Sequence, residues 1–353
     1  MLRAIYEPLS TILNEMKRNA FVLCAVLWFA FGSLPCTSQV HRYMRVGHTT
    51  NVTVTPQAGI ALMGGGEDLD EAFRWLCTRA KGGDLLVLRA TGDDDYNPYI
   101  AKLCKLNSVA TLVIPNRAAA NDPVVARTIR EASALFISGG DQSNYINYWM
   151  GSPVQTELNA AIARGVPIGG TSAGLAVLGE WAYSAQGDKP TDPNLDGKTA
   201  MEHPLGSRIT LVHGFLRIPI LKGVVTDTHF ATRNRMGRLL VFLARLNEPD
   251  GKPLPSKAPH VRGIGVEQRA AVLLEPGGSA TVVGHGAAYF VDILGTTGTV
   301  AQGKPLTFGP YAVQKVKPGH SFDLPSWSGA ATRYTLTVRA ATIRSTQPGG
   351  SVY

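Results

Sequence analysis

The sequence predicts an α/β protein built on a doubly wound, mostly parallel sheet, with a β-rich C-terminal part. Three observations predict it. Short, continuously apolar runs alternate with helical stretches from residue 59 to 171, the pattern of parallel strands covered on both faces. Three of those runs end in glycine-rich turns: Gly64-Gly65-Gly66-Glu67-Asp68, Ser138-Gly139-Gly140-Asp141-Gln142 and Gly169-Gly170-Thr171-Ser172-Ala173-Gly174. Turns at the carboxyl ends of strands are where an α/β sheet carries its functional loops. From residue 263 onward, alternating apolar residues with Gly and Pro replace the strand–helix rhythm. With 353 residues, 44% hydrophobic and 17% charged, the chain has material for one α/β domain and a smaller appendage.

The elements follow in order. Lys17 and Arg18 precede an uncharged apolar stretch from Ala20 to Leu34, then Pro35-Cys36-Thr37-Ser38. Residues 1–38 therefore read as a secretory signal peptide, with Met16 an alternative start. The run is short for a membrane span, so a secreted or periplasmic protein without a stable anchor is expected. Pro35 stands where lipoprotein processing at Cys36 would need a small residue. A polar leader covers 39–56, an α/β catalytic domain 57–272, and a β-rich extension 273–353. Strands are expected at 59–63, 84–90, 110–114 and 134–138, and just before Ser172. Helices are expected at 67–76, 97–106, 123–132 and 153–163, and from Ala173 to about residue 181. The polar segment 184–206 reads as a surface loop able to act as a lid. Strand 223–227 delivers Thr228-His229-Phe230, and a basic helix follows with Arg233, Arg235 and Arg238 before the apolar run Leu239 to Ala244. The C-terminal strands are expected to extend or pack on the main sheet.

Cys77 and Cys104 are the cysteines left after the signal region. Placing their helices on opposite faces of the sheet, the reading is two free, buried thiols. The formal charge of +8 is scattered. No basic run with interleaved aromatics points to nucleic acid, and the excess suits an anionic substrate only weakly. No HExxH, CxxC pair or carboxylate–histidine cluster occurs, so neither metal nor cofactor is expected.

Gly170-Thr171-Ser172-Ala173-Gly174 has the form G-x-S-x-G, in which a strand turns sharply into a helix and exposes a serine at the apex. A glycine-rich turn with a helix-capping serine is the bland alternative. A nucleophilic serine needs a base within reach. Of eight histidines, His41 and His48 lie in the leader, His260 in a Pro-rich loop, and His203, His213, His285 and His320 in loops or turns. Only His229 sits at the carboxyl end of an expected strand, in the half of the sheet that holds Ser172. Backbone N–H groups of Ala173 and Gly140 would form the oxyanion hole.

Together the GGTSAG turn, the SGGDQ turn and the segment Asp227 to Leu239 resemble the serine peptidase family of cyanophycinase and α-aspartyl dipeptidase, over about Gly59 to Val272. The resemblance implies a flavodoxin-like sheet related to class I glutamine amidotransferases, and a Ser-His-acid triad with Ser172 as nucleophile and His229 as base. It implies a pocket shaped by Gln142, Asp227, Arg233, Arg235 and Arg238. The substrate would be cyanophycin, a poly-aspartate backbone bearing β-linked arginines, or a related aspartyl peptide, cleaved through an acyl-enzyme. A homodimer is also in keeping with the family.

Two departures stand out. Many cyanophycinases read Asp-Gln-His-Phe where this chain has Asp227-Thr228-His229-Phe230. The family pattern Gly-Ile-Gly-x-Asp-Glu is here Gly263-Ile264-Gly265-Val266-Glu267-Gln268, so Gln268 takes the place of the orienting glutamate and the carboxylate moves to Glu267. One of these two orients His229. The amide departure allows a second reading, a catalytically weakened binding protein on the same fold. An α/β-hydrolase esterase is disfavoured because those enzymes place the acid before the histidine.

Overall fold

The computed structural model describes residues 41–353, apart from Pro190, residues 249–259, Thr296 and Thr299. The signal peptide expected at 1–38 lies outside the described residues.

Over the described residues the protein is an α/β fold with two mixed sheets. The first runs β1(Arg42–Gly47), β4(Ser108–Val113), β3(Asp84–Arg89), β5(Ala134–Ile137), β6(Ile168–Thr171), β2(Ile60–Met63), β11(Ala270–Leu274), β12(Ser279–Gly284), β15(Ser321–Asp323), β16(Ser328–Gly329). Its central five strands, β4-β3-β5-β6-β2, are parallel. The second runs β18(Thr342–Ser345), β17(Thr332–Arg339), β14(Phe308–Val316), β13(Ala288–Ile293), β10(Arg262–Val266), β9(Val224–Asp227), β7(Trp181–Tyr183), β8(Leu211–His213). The sequence pattern tracks this burial. The Ile-Ala-Leu-Met run of β2 is buried throughout, as a strand with both faces covered requires. By contrast, β17 alternates between buried and exposed positions because one face meets solvent.

Helices α1(Asp70–Arg79) and α2(Tyr96–Leu103) cover the outer face of the first sheet, packing Phe73, Leu76 and Ile100 on Val87 and Phe136. On the inner face, α3(Arg117–Ala120), α4(Pro123–Arg130), α5(Gln142–Trp149), α6(Pro153–Ala163) and α7(Ala173–Ala176) share a buried cluster with the second sheet. There Leu62, Ile168 and Val272 meet Val224, Ile264 and Phe290. Each such side chain contributes about 1.5–3 kcal/mol when fully buried, so this layer welds the sheets together. A short α8(Gly197–Glu202) packs on α9(Met236–Asn247), which covers the far face of the second sheet.

Several expectations are corrected here. The strand bearing His229 is not in the sheet of Ser172: β9 belongs to the second sheet, beside β10. Among the described residues, the strands from β11 onward divide, four extending the first sheet and four building the second, so both of the arrangements expected for them occur. The leader contains β1, an antiparallel edge strand on β4, whose arginines suit an unprotected edge. His213 ends β8 and packs on Trp181 rather than lying in a loop. The helix after Ser172 stops at Ala176 instead of residue 181, because the chain turns at Gly179 against Val224 and enters β7. Arg233 and Arg235 precede α9, and only Arg238 lies in it.

The cysteines differ most. Cys77 and Cys104 form a disulfide, with Cα atoms 6.1 Å apart. The crossovers β2→β3 and β3→β4 run in the same direction along the sheet. Right-handed crossovers then put α1 and α2 on one face, so the expectation of two free thiols on opposite faces fails.

Candidate active site

Ser172 follows β6 directly, and its backbone is held at φ 52°, ψ −117°. That conformation is costly for a side-chain-bearing residue and persists only when its surroundings enforce it. They do. A Cβ on Gly170 would stand 2.6 Å from the Gly174 carbonyl, and one on Gly174 would overlap the Ile137 carbonyl oxygen. Both glycines are therefore required for the turn to close against β5. The Ser172 N–H donates to the Met63 carbonyl of neighbouring β2 at 3.1 Å. Ala173 heads α7, where its N–H has no partner within the helix. Gly140, at φ 147°, lies in the turn after β5 and lines the same pocket as Ser172 and Ala173.

His229 comes from the opposite sheet, just past β9. It is 5% exposed and also has a positive φ, 45°. Its N–H donates to the Gly64 carbonyl at 2.8 Å. Its Nε2 lies 2.8 Å from Ser172 Oγ, and its Nδ1 lies 2.7 Å from the Gln268 side-chain amide. Glu267 turns elsewhere. Its carboxylate accepts from the Ala231 N–H at 2.8 Å and from the Thr232 hydroxyl at 2.7 Å, pinning the turn that follows the histidine. Of the two candidates for orienting His229, Gln268 makes the contact.

The amide orientation matters. With its nitrogen toward Nδ1, Gln268 would leave the proton of a neutral imidazole on Nε2; with its oxygen there, it accepts Nδ1–H and frees Nε2 to take the serine proton. A half-turn of the amide interchanges the two. Burial, then the charges of Arg233 and Arg235, push the imidazole down to about 4, although Asp227 pulls the other way. A neutral amide adds no countercharge, so His229 is a neutral imidazole across the usual pH range.

A cavity of about 450 Å³ opens beside Ser172, lined by Gln142, Asn144, Asp188, Leu195, Arg233 and Arg235 among others. Asp141 caps α5 by accepting the Ser143 N–H at 2.8 Å, which sets Gln142 at the pocket wall. The three arginines divide by environment. Arg233 is exposed at the rim. Arg238 is buried against Asp227 in a two-point ion pair, with its guanidinium over Tyr183 and its Nη1 donating to the Leu195 carbonyl at 3.0 Å. Asp227, 1% exposed, also accepts the Thr228 N–H. Asp227 is thus consumed in the core, although sequence placed it among the groups contacting substrate, and Arg238 is engaged in the same way.

Arg235 is different. It is 5% exposed, yet its Nη1 bonds only Thr228, at 3.0 Å and 2.9 Å, and its buried Nε has no partner among the described residues. Burial and the neighbouring Arg238 push it down to about 9. The Asp227 carboxylate, already held by Arg238, lies 3.8 Å from Nη1, so Arg235 shares one anion with a second cation and keeps spare donors that a further anion would satisfy.

The far wall comes from the segment expected to act as a lid, although the sequence singled out none of its residues. Tyr183 donates to Asp188 at 2.7 Å, Arg208 holds Asp188 at 2.6 Å, and Arg238 ties Leu195. These bonds fix the described part of the 184–206 segment over the cavity. Its polar composition was the available signal. The larger cavity of about 1160 Å³ is lined by Ser133 and Val166, at the amino ends of β5 and β6, and is therefore remote from Ser172.

The chain is similar to known peptidases. The family model for Peptidase family S51 matches residues 60–203. Cyanophycinase from Synechococcus elongatus is 29% identical over 188 residues, 53% of this chain and 50% of that protein. Cyanophycinase from Trichormus variabilis is 28% identical over 221 residues, 61% of this chain and 65% of that protein. The chain thus spans about half the length of the first of these relatives. A crystal structure of a peptidase from an acI-B1 Actinobacterium aligns with a TM-score of 0.48 at 16% identity, over 76% of this chain and 98% of that one. Family match and curated relatives point the same way: the chain is similar to peptidase family S51 over residues 60–203 and to cyanophycinases at 28–29% identity.

Proposed function

We propose that this protein is a serine-type exopeptidase of cyanophycinase type, hydrolysing β-aspartyl-arginine or a related aspartyl peptide bond through an acyl-enzyme. The observation that carries the reading is the 2.8 Å contact between Ser172 Oγ and His229 Nε2, made across two sheets. Ser172 Oγ attacks the scissile carbonyl carbon while His229 Nε2 takes its proton. The N–H groups of Ala173 and Gly140 hold the oxyanion. Collapse breaks the C–N bond, the leaving amine takes the proton from His229, and a water activated by the same imidazole releases the acyl group from Ser172. Gln268 accepts Nδ1–H throughout. Arg235, the buried cation with unused donors, pairs with an aspartyl α-carboxylate of the substrate, and Gln142 and Arg233 complete the pocket. The flavodoxin-like relationship to class I glutamine amidotransferases is part of the same proposal. It is supported by the order β4-β3-β5-β6, although β2 takes the next place beyond β6.

We also place the protein outside the cytoplasm. The N-terminal signal pattern supports export, and a Cys77–Cys104 bridge suits an oxidising compartment. Incubating the purified mature protein with cyanophycin and weighing the products tests the activity. The expected product is the β-aspartyl-arginine dipeptide, and Ser172→Ala should lower its release by roughly 10⁴-fold while the fold is unchanged. Turnover that survives this substitution would refute the reading. The neutral amide at the third position favours one alternative, a binding protein that keeps the cationic pocket. Such a protein would bind the dipeptide equally well with or without the Ser172 hydroxyl and would release no product.

A further inference from the structure

Four consecutive residues touch every member of the Ser172–His229–Gln268 array. The Met63 carbonyl accepts the Ser172 N–H at 3.1 Å, and the Gly64 carbonyl accepts the His229 N–H at 2.8 Å. The Gly65 carbonyl accepts the N–H of Arg269, next to Gln268, at 2.9 Å. A Cβ on Gly66 would lie 3.2 Å from the Gln268 side chain. Met63 ends β2, the strand that pairs with both β6 and β11, and Gly64–Gly66 are the turn that follows it. They therefore sit where the nucleophile's sheet meets the turn that carries Gln268. Gly65 has φ +89°, and a Cβ there would stand 2.5 Å from both Cε1 and Nε2 of His229 and 3.1 Å from Ser172 Cβ. The volume an ordinary side chain would fill is the volume the imidazole uses to reach the serine.

We propose that Met63–Gly66 is the template that sets nucleophile, base and orienting amide at their spacing, and that Gly65 is a positioning residue whose missing side chain admits the His229 ring. The inference rests on the peptidase reading above and adds to it a residue that supplies no group to the reaction. Its test is a cycle of Gly65→Ala, His229→Ala and the double variant, assayed on the same aspartyl substrate. Gly65→Ala should lower kcat at least 100-fold with KM within threefold, because the pocket is untouched while the base is displaced. In the His229→Ala background the ring is gone, so adding Gly65→Ala should change the residual rate less than threefold. A Gly65→Ala enzyme within threefold of the parent, or penalties that multiply in the double variant, would overturn the proposal. Should Gly65→Ala fail to yield folded protein, its combination with His229→Ala decides: recovery of the fold supports a conflict confined to the ring, and continued failure refutes it. The parent reading fails separately, through turnover by Ser172→Ala.

Discussion

At the scale of single residues, the replacement of a carboxylate by the Gln268 amide governs how the site titrates. His229 is depressed to about 4 by burial and neighbouring arginines, so the acid limb of kcat/KM is expected near pH 4 instead of the ordinary 6.5. Gln268→Glu would supply a negative charge at Nδ1, which favours the imidazolium. The acid limb should then move to higher pH while the plateau rises by roughly one to three orders of magnitude. A pH–rate profile of the two proteins checks both. The same group links pH to folding. Protonation is favoured in the unfolded chain and resisted in the fold, so stability present above pH 6.5 is lost as pH falls toward about 4. Ser172, His229 and Gln268 were legible because each lies in a short motif at the end of a strand. The division of labour between Gln268 and Glu267 was not. It depends on a turn beyond β10 that directs the carboxylate to Ala231 and Thr232, and strand alternation alone does not describe such a turn.

At the scale of elements, the Asp227–Arg238 pair joins β9 to α9 and, through the Leu195 carbonyl, to the wall of the pocket. Both partners are almost wholly buried. Asp227→Ala leaves a buried, unpaired guanidinium and should cost about 3–5 kcal/mol, read as a lowered midpoint in urea denaturation. Glu267→Ala should cost about 2 kcal/mol through lost bonds to the 231–232 turn, with turnover reduced but not abolished; complete loss would make Glu267 the partner of His229. The family resemblance placed Asp227 and Arg238 with the substrate. Their burial comes from Tyr183 and Leu195, distant in sequence and gathered only by the fold. Strand and helix identities were readable from local periodicity. The partition into two sheets was not, because pairings such as β2 with β11 join segments with no sequence signal in common.

At the scale of the molecule, the Cys77–Cys104 bridge closes a loop of sequence separation 27 between α1 and the end of α2. Replacing both cysteines with serine should cost about 3 kcal/mol and lower Tm, with kcat nearly unchanged because the bridge lies on the face away from Ser172. Differential scanning calorimetry with a parallel activity assay tests this.

The split of the catalytic groups between two sheets has a consequence for synthesis. A growing polypeptide displays its serine long before His229, Gln268 or β11 has been made, and β2 must wait for β11 before its outer edge is paired. On the proposed mechanism, products truncated before Gln268 are expected to be chemically silent, and hydrolysis would report that synthesis has passed β11 and that the two sheets have come together. Such late, long-range pairing also makes maturation slow.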